Sequence, residues 1–318
     1  TLDLLVAAGL DAGVEAHIDG LIARTDGSVP EGLDVADALI ERANRRLAVP
    51  EALTSLDELD VLYDDKIAAL WTFMRPTGRP SFTPPMLGDF ERWQDLIGRN
   101  FGPEKLPLRY LLLGSRAPGV FCFGGDLELF AQLIRRGDRD GLRHYGYRCV
   151  RILERNIRAL DLPLITIGLV QGQALGGGFE ALLSFDFIIA ERSATFGLPE
   201  IMFGLFPGMG AHAILTRKLG AAMADRLILS NETWNAEQMY DLGIVDVLVE
   251  DGQGVEAARE FMVKSERRHP GLVAAKKATR ISAPTPLAEL CQIVDLWADA
   301  ALDLSPSDLK LMQRLPPA

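Results

Sequence analysis

The sequence predicts an α/β protein, and three observations carry that expectation. Short apolar runs closed by glycine or a turn, at residues 108–113 and 164–170, have the length and composition of buried strands. Longer segments of helical period stand between them, at residues 127–134 and 142–157. The strand-like runs lack simple hairpin spacing, so the alternation favours crossover connections over an all-β arrangement.

In chain order, residues 1–55 read as a separate helical segment. Leu33, Ala36, Leu39, Ile40, Ala43 and Leu47 recur at helical spacing after the breaker Pro30-Glu31-Gly32, and Pro50 ends the run. This segment carries no recognisable chemistry and is expected to serve packing or oligomer contact. Residues 67–73 read as a strand. Residues 75–85 hold four prolines and a glycine, which calls for an extended loop. Residues 86–97 are amphipathic and helical. The strand at 108–113 ends at Gly114, and Gly137 and Gly141 separate the helices at 127–134 and 142–157. The strand at 164–170 runs into a glycine-rich turn, and a short helix then leads to a strand at 185–190. Another short strand is expected at 244–249, and the tail from Gly254 is helical with breaks at Pro270 and Pro284-Thr285-Pro286. The chain thus divides into 1–55, a core at 56–250 and a helical region at 251–318.

Composition excludes several classes. Apolar residues make up 48% of the 318 and charged residues 24%, as in an ordinary globular protein. The net charge of −11 argues against a general nucleic-acid binder, because phosphate affinity rests on surplus Lys and Arg. Cys122, Cys149 and Cys291 are scattered and odd in number, without metal-ligand spacing, so neither a disulfide framework nor a metal site is expected. No stretch reaches the roughly 18 unbroken apolar residues of a membrane span. The cysteine usage fits a reducing, cytoplasmic setting, which is the expected location, and the opening Thr1-Leu-Asp-Leu-Leu lacks a basic leader region.

Chemistry concentrates in two turns and two acids. Gly172-Gln-Ala-Leu-Gly176-Gly177-Gly178-Phe179-Glu180 follows a strand and opens a helix, so free N–H groups and a favourable dipole meet there. It has neither dinucleotide-fingerprint nor P-loop spacing. A second turn of the same kind is Val120-Phe-Cys-Phe-Gly124-Gly125-Asp126-Leu127. Two such turns can aim one N–H each at a single oxygen, forming an oxyanion hole. Asp126 reads first as an N-cap. Glu180 and Glu200, twenty residues apart, can return to one place through the intervening helix and strand. Each alone could be a dipole partner or a loop acid; together beside an oxyanion hole they read as a general acid and base. Close carboxylates resist ionising together, so one is expected to keep a proton near neutral pH. The basic run Arg135, Arg136, Arg139, Arg143, Arg148, Arg151, Arg155 and Arg158 reads as a solvated helix face or as a landing site for a phosphorylated carrier. His212 is the histidine nearest the motifs, without a serine or cysteine elbow to make a triad.

These residues resemble the crotonase, or enoyl-CoA hydratase/isomerase, superfamily. The resemblance rests on Phe121-Cys-Phe-Gly124-Gly125-Asp126-Leu127, Gly176-Gly177-Gly178-Phe179-Glu180, Phe196-Gly-Leu-Pro-Glu200 and Phe206-Pro-Gly-Met209-Gly, in order and spacing. It covers the chain from about residue 56 onward. It implies a ββα spiral core, a C-terminal helical trimerisation region, and here an extra N-terminal helical segment. It places the two oxyanion amides on Gly125 and Gly177 and the catalytic acids on Glu180 and Glu200, an arrangement similar to the hydratase branch.

Within the superfamily, the stretch from Gly124 to Asp138, Arg148-Cys149-Val150-Arg151 and the glycine-rich turn are similar to bacterial diffusible signal factor synthases. That subgroup dehydrates a 3-hydroxyacyl carrier-protein thioester to the cis-2-enoyl form and hydrolyses it to a free acid. By position, Leu175, Gly176 and Met209 would line the acyl pocket. The implied partner is an acyl thioester of acyl carrier protein or coenzyme A, neither nucleic acid nor membrane. The implied assembly is a homotrimer or hexamer. No cofactor is implied, since coenzyme A or phosphopantetheine enters as part of the substrate. An ordinary trans-2-enoyl-CoA hydratase and a non-catalytic interaction protein on the same scaffold remain alternatives.

Overall fold

The computed structural model describes residues 49–313. The helix expected over residues 33–47 lies outside them. Helix α1, Glu51–Thr54, buries Leu53, and Leu56 follows it into the main core, so the packed body already includes these residues. Strand β1, Leu59–Asp64, was not expected; it alternates buried and half-buried positions and pairs antiparallel with β2, Ala69–Met74, which is buried throughout. Helix α2, Pro84–Asn100, starts inside the segment expected to be extended. Thr83 caps it by accepting from the Met86 amide at 3.3 Å, and Pro84 and Pro85 occupy the first turn, where a missing N–H costs little.

From β3 onward the chain repeats a strand, strand, helix step. Strand β3, Tyr110–Ser115, joins a large sheet; β4, Val120–Cys122, starts a small one; α3, Leu127–Arg135, and α4, Arg139–Ile157, follow. Strand β5, Ile165–Val170, returns to the large sheet, β6, Gln173–Leu175, to the small one, and α5, Gly177–Leu182, closes the step. Strands β7, Phe187–Glu191, and β8, Thr195–Gly197, repeat it, followed by a 3-10 turn, Pro199–Phe203, and by α6, Ala211–Leu219, and α7, Ala221–Leu229. Strand β9, Thr233–Asn235, helix α8, Ala236–Asp241, and strand β10, Val247–Val249, complete the sheets. Strand β10 takes only the second half of the stretch expected at 244–249.

The large sheet runs β1-β2-β3-β5-β7-β10 and the small one β4-β6-β8-β9. All neighbours are parallel except β1 with β2 and β8 with β9. This is the ββα spiral that the resemblance implies. Its consequence for the site is positional. Strands β4, β6 and β8 are adjacent and parallel, with Cys122 opposite Ala174 and Leu175 opposite Gly197. The residues after their carboxyl ends, 123–125, 176–180 and 198–200, therefore emerge side by side, where parallel sheets commonly receive ligands.

Alternate residues of the large sheet face two apolar layers, as strands buried on both faces require. Trp71, Leu112, Ile167 and Ile189 meet Val255 and Met262 of α9, Gly254–Ser265, and Val273 of α10, His269–Ser282. Leu70, Leu111 and Ile188 belong to the layer that holds Trp93 and Ile97 of α2 and Val150 and Leu153 of α4. Pro270 sits in the first turn of α10 rather than ending a helix. Helix α11, Leu287–Leu302, packs along α4, and α12, Pro306–Gln313, follows.

The arginine run has mainly a structural use. Arg139 pairs with Asp299 and Arg143 with Asp295 on α11, while Arg148 pairs with Glu91 and Arg155 with Asp95 on α2. These pairs tie α4 to both neighbours. Among the described residues, no helix is long and apolar enough to cross a membrane.

Candidate active site

Each of the three adjacent glycines after β6 meets a different neighbour. Gly176 adopts φ +51° and ψ −128°, a conformation open to glycine, and a Cβ there would lie 2.6 Å from Glu200 Oε1. A Cβ on Gly177 would lie 2.4 Å from Met209 Cε, and one on Gly178 only 2.2 Å from the Cys122 carbonyl oxygen. The partner turn after β4 is as close: a Cβ on Gly124 would sit 2.4 Å from the Gly177 nitrogen. That second turn is pinned by the Phe123 amide donating to Pro80 O and the Phe82 amide donating to Gly124 O, each at 2.7 Å. The Gly124 amide donates to Cys122 Sγ at 3.3 Å. The Gly125 and Gly177 amides have no acceptor among the described residues. For Gly177 the reason is plain: it opens α5, where the first N–H groups have no intrahelical partner. Asp126 caps α3, accepting from the Leu129 amide at 3.0 Å.

Glu180 lies in the first turn of α5 and is 1% exposed. Its Oε1 accepts from the amides of Met209 at 2.8 Å and Ala211 at 3.0 Å, the latter opening α6. Gly210, at φ +126°, makes the bend that presents these amides. Burial drives the Glu180 carboxyl up, the amides of Ala211, Met209 and Gly210 pull it down, and the net position is about 7.

Glu200 is carried by the 3-10 turn after β8, which Gly204 closes in the left-handed conformation at φ +78°. Its Oε2 is buried with no hydrogen-bond partner. Burial, then the negative charge of Glu180, push its carboxyl up to about 8. Two interacting acids at one site share a proton near neutrality, and the unequal hydrogen bonding decides where it resides: Glu180 is the ionised member and Glu200 the protonated one.

Glu180, Glu200, Gly125, Gly176, Gly177 and Met209 all line one cavity of about 50 Å³. Leu175 does not; its Cδ2 would lie 3.3 Å from a Cβ on Gly197 of the neighbouring strand. Phe130, Tyr145, Phe203, Leu205 and Trp297 complete the walls and were not singled out from sequence. Tyr145 donates to Phe82 O at 2.6 Å and accepts from the Asp126 amide at 3.2 Å, which braces the Gly125 turn. Phe130 packs edge-on against Tyr145 and Trp297, both at 4.9 Å between centroids. Thus α11 closes the cavity. His212 stands off the lining, against the Phe206 ring at 5.6 Å.

Residues 106–293 match the enoyl-CoA hydratase/isomerase family model. A probable mitochondrial enoyl-CoA hydratase 2 of Arabidopsis thaliana is 33% identical over 171 residues, covering 54% of each chain. The 2,3-dehydroadipyl-CoA hydratase of Escherichia coli K12 is 38% identical over 127 residues, covering 40% of this chain and 49% of the relative. The chain thus spans about half the length of these two curated relatives. The structure of DspI from Pseudomonas aeruginosa superposes with a TM-score of 0.62 at 26% identity, covering 71% of this chain and 88% of DspI. An enoyl-CoA hydratase from Bacillus halodurans shares the fold, with a TM-score of 0.68 at 21% identity over 81% of this chain and all of its own. With the family model spanning more than half its length and the fold in agreement, the chain belongs to the enoyl-CoA hydratase/isomerase family.

Proposed function

We propose that this protein is an acyl-thioester lyase that moves water on or off the α,β-carbons of its substrate. The observation that carries the reading is the convergence on one cavity of two unpartnered amides and two acids, Glu180 buried and Glu200 half-buried with its Oε2 covered. The Gly125 and Gly177 amides would hold the thioester oxygen and stabilise the enolate. In the resting state Glu180 is ionised and Glu200 protonated. For addition of water, Glu180 takes a proton from the water as its oxygen bonds to the β-carbon, and Glu200 delivers its proton to the α-carbon. Elimination runs the same path backward from the state with the proton on Glu180: Glu200 removes the α-proton, and Glu180 protonates the departing hydroxyl. One proton remains on the pair before and after.

The finer reading is a diffusible signal factor synthase. Such an enzyme eliminates water from a 3-hydroxyacyl carrier-protein thioester to give the cis-2-enoyl form. It then hydrolyses the thioester: water attacks the carbonyl carbon, a carboxylate takes its proton, the two amides hold the oxyanion, and the thiol leaves with that proton. The segments around Asp126, Arg148 and Gly177 support this reading through their resemblance to that subgroup. An ordinary trans-2-enoyl-CoA hydratase is the second reading, favoured by the names of the curated relatives. Assembly as a trimer or hexamer and a cytoplasmic location belong to the same proposal and rest on the resemblance.

Product analysis tests it. The protein is incubated separately with a trans-2-enoyl-CoA and a 3-hydroxyacyl carrier protein, and the products are identified by mass spectrometry. Free cis-2-enoic acid from the second substrate is expected. Only 3-hydroxyacyl-CoA from the first would establish the second reading, and no turnover of either would remove both.

A further inference from the structure

Tyr145 of α4 reaches the turn that carries one of the two unpartnered amides. It is 4% exposed and lines the cavity. At that turn Phe82 pairs with Gly125 in a short parallel bridge. Such a pairing has two rungs, one from Phe82 to each neighbour of Gly125. In the first, the Phe82 amide donates to Gly124 O at 2.7 Å. The second would run from the Asp126 amide to Phe82 O, and the Tyr145 hydroxyl is inserted in it. The hydroxyl accepts from the Asp126 amide at 3.2 Å and donates to Phe82 O at 2.6 Å. Burial raises the phenol well above its ordinary range, so the hydroxyl keeps the proton that this relay needs.

The relay bears on the Gly125 amide through peptide geometry. Across a trans peptide the carbonyl and the N–H point in opposite directions. Gly124 O is held toward Phe82, so the Gly125 N–H faces away from that segment, and it has no acceptor among the described residues. The next peptide, from Gly125 to Asp126, is fixed by the hydroxyl. Both peptide planes flanking Gly125 are therefore set from one place. The Phe130 ring fills the space a side chain at Gly125 would need: a Cβ there would lie 2.6 Å from Phe130 Cε2. That ring packs on Tyr145 at 4.9 Å between centroids. Without the hydroxyl, the Asp126 amide and Phe82 O either stay unpaired or close directly, and direct closure rotates the planes on both sides of Gly125.

We propose that Tyr145 is a positioning residue for the oxyanion hole: its hydroxyl, inserted in the pairing of Phe82 with Gly125, sets the direction in which the Gly125 amide meets the thioester oxygen. The inference rests on the acyl-thioester reading and adds a residue from α4, outside both glycine turns, that acts on the carbonyl through Gly125.

Tyr145→Phe tests it, because the variant loses the hydroxyl and keeps the ring against Phe130. On a thioester substrate kcat is expected to fall about 10- to 100-fold while KM stays within about twofold, as for a hole donor turned out of line. The readout that packing alone would not move is the carbonyl stretch of an isotope-labelled, saturated acyl thioester bound to the protein, taken by infrared difference. Binding to the wild type should lower that frequency, and Tyr145→Phe should lose about half of the shift, since one of two donors is misdirected. An unchanged shift or an unchanged kcat would overturn the inference, whatever happens to the melting temperature. If the variant fails to fold, a crystal structure of the wild type with the same thioester decides. The hydroxyl still bonded to Phe82 O and the Asp126 amide, with Gly125 N on the thioester oxygen, supports the inference; a hydroxyl that has left both overturns it. A carbonyl that does not shift even in the wild type would instead overturn the oxyanion-hole reading beneath.

Discussion

The carboxylate of Glu180 accepts a hydrogen bond from the amide of Ala211 at 3.0 Å, so an acid in the first turn of α5 also caps the start of α6. That bond locks the acid in place and, together with the Met209 amide, favours its ionised form against strong desolvation. Glu200 has no such help on Oε2. The chemistry of the pair follows from this asymmetry.

Activity should therefore depend on pH through the pair rather than through either acid alone. The singly protonated pair is the working form. Below about 7 both acids hold protons, and above about 8 both are ionised, so kcat/KM is expected to fall on both sides of a narrow optimum. Glu180→Gln and Glu200→Gln should each lower kcat by roughly 10²–10⁴-fold. Because the Glu180 charge helps hold Glu200 up, Glu180→Gln should also move the Glu200 titration downward. A pH–rate profile, with carboxyl titration by NMR, checks all three.

The same shifts imply a stability cost at high pH. Both carboxyls titrate higher in the folded protein than in the unfolded chain, where the reference value is 4.5. As pH rises, the unfolded chain loses these protons first, and the folded state loses stability until its own acids ionise. Any advantage is complete below the unfolded value and gone above the folded one. Glu200→Gln cannot ionise, so relative to wild type it should gain up to about 5 kcal/mol between about pH 4 and about pH 9. Denaturant midpoints of both proteins at the two pH values measure this. An equal change in the two would contradict it.

The glycine triplet should divide by what each neighbour can do. Gly178 faces the backbone carbonyl of Cys122, which β4 holds in place, whereas Gly177 faces the mobile end of Met209. Gly178→Ala is expected to cost about 3 kcal/mol or more, as overpacking against backbone does, while Gly177→Ala should cost about 1. Gly176→Ala meets both a strained backbone and Glu200 Oε1, so it should lose activity as well as stability. Chemical denaturation of the three variants gives the order.

Much of this site could be read before the structure because its signals are local. A glycine triplet after an apolar run and an acid three residues past Gly177 are contiguous features, and Asp126 sits where a helix-capping residue belongs. Strands β4, β6 and β8 were harder, since three residues are too few to show a period, yet their register brings the turns together. Phe130, Tyr145 and Trp297 escaped for another reason. Each lies on the apolar face of a helix, and periodicity reports only that such a face is buried, not that it walls a cavity. Leu175, adjacent to the triplet, was assigned by position, but strand alternation turns its side chain toward Gly197.

The arginines of α4 give the last prediction. Arg143 donates to Asp295 Oδ1 at 2.6 Å and to the Tyr147 hydroxyl at 2.7 Å, and that hydroxyl donates to the same Asp295 oxygen at 2.6 Å. The closed set joins α4 to α11, the helix that brings Trp297 to the cavity wall. If Arg143 serves this joint, Arg143→Asp should lower the melting temperature, and adding Asp295→Arg should recover part of the loss. If it serves a phosphorylated carrier instead, the charge-swapped double variant would regain stability but still bind carrier protein weakly, because the cation has left α4. The geometry favours the joint, so the double variant is expected to match wild type in carrier affinity, measured by titration calorimetry, and to approach it in melting temperature.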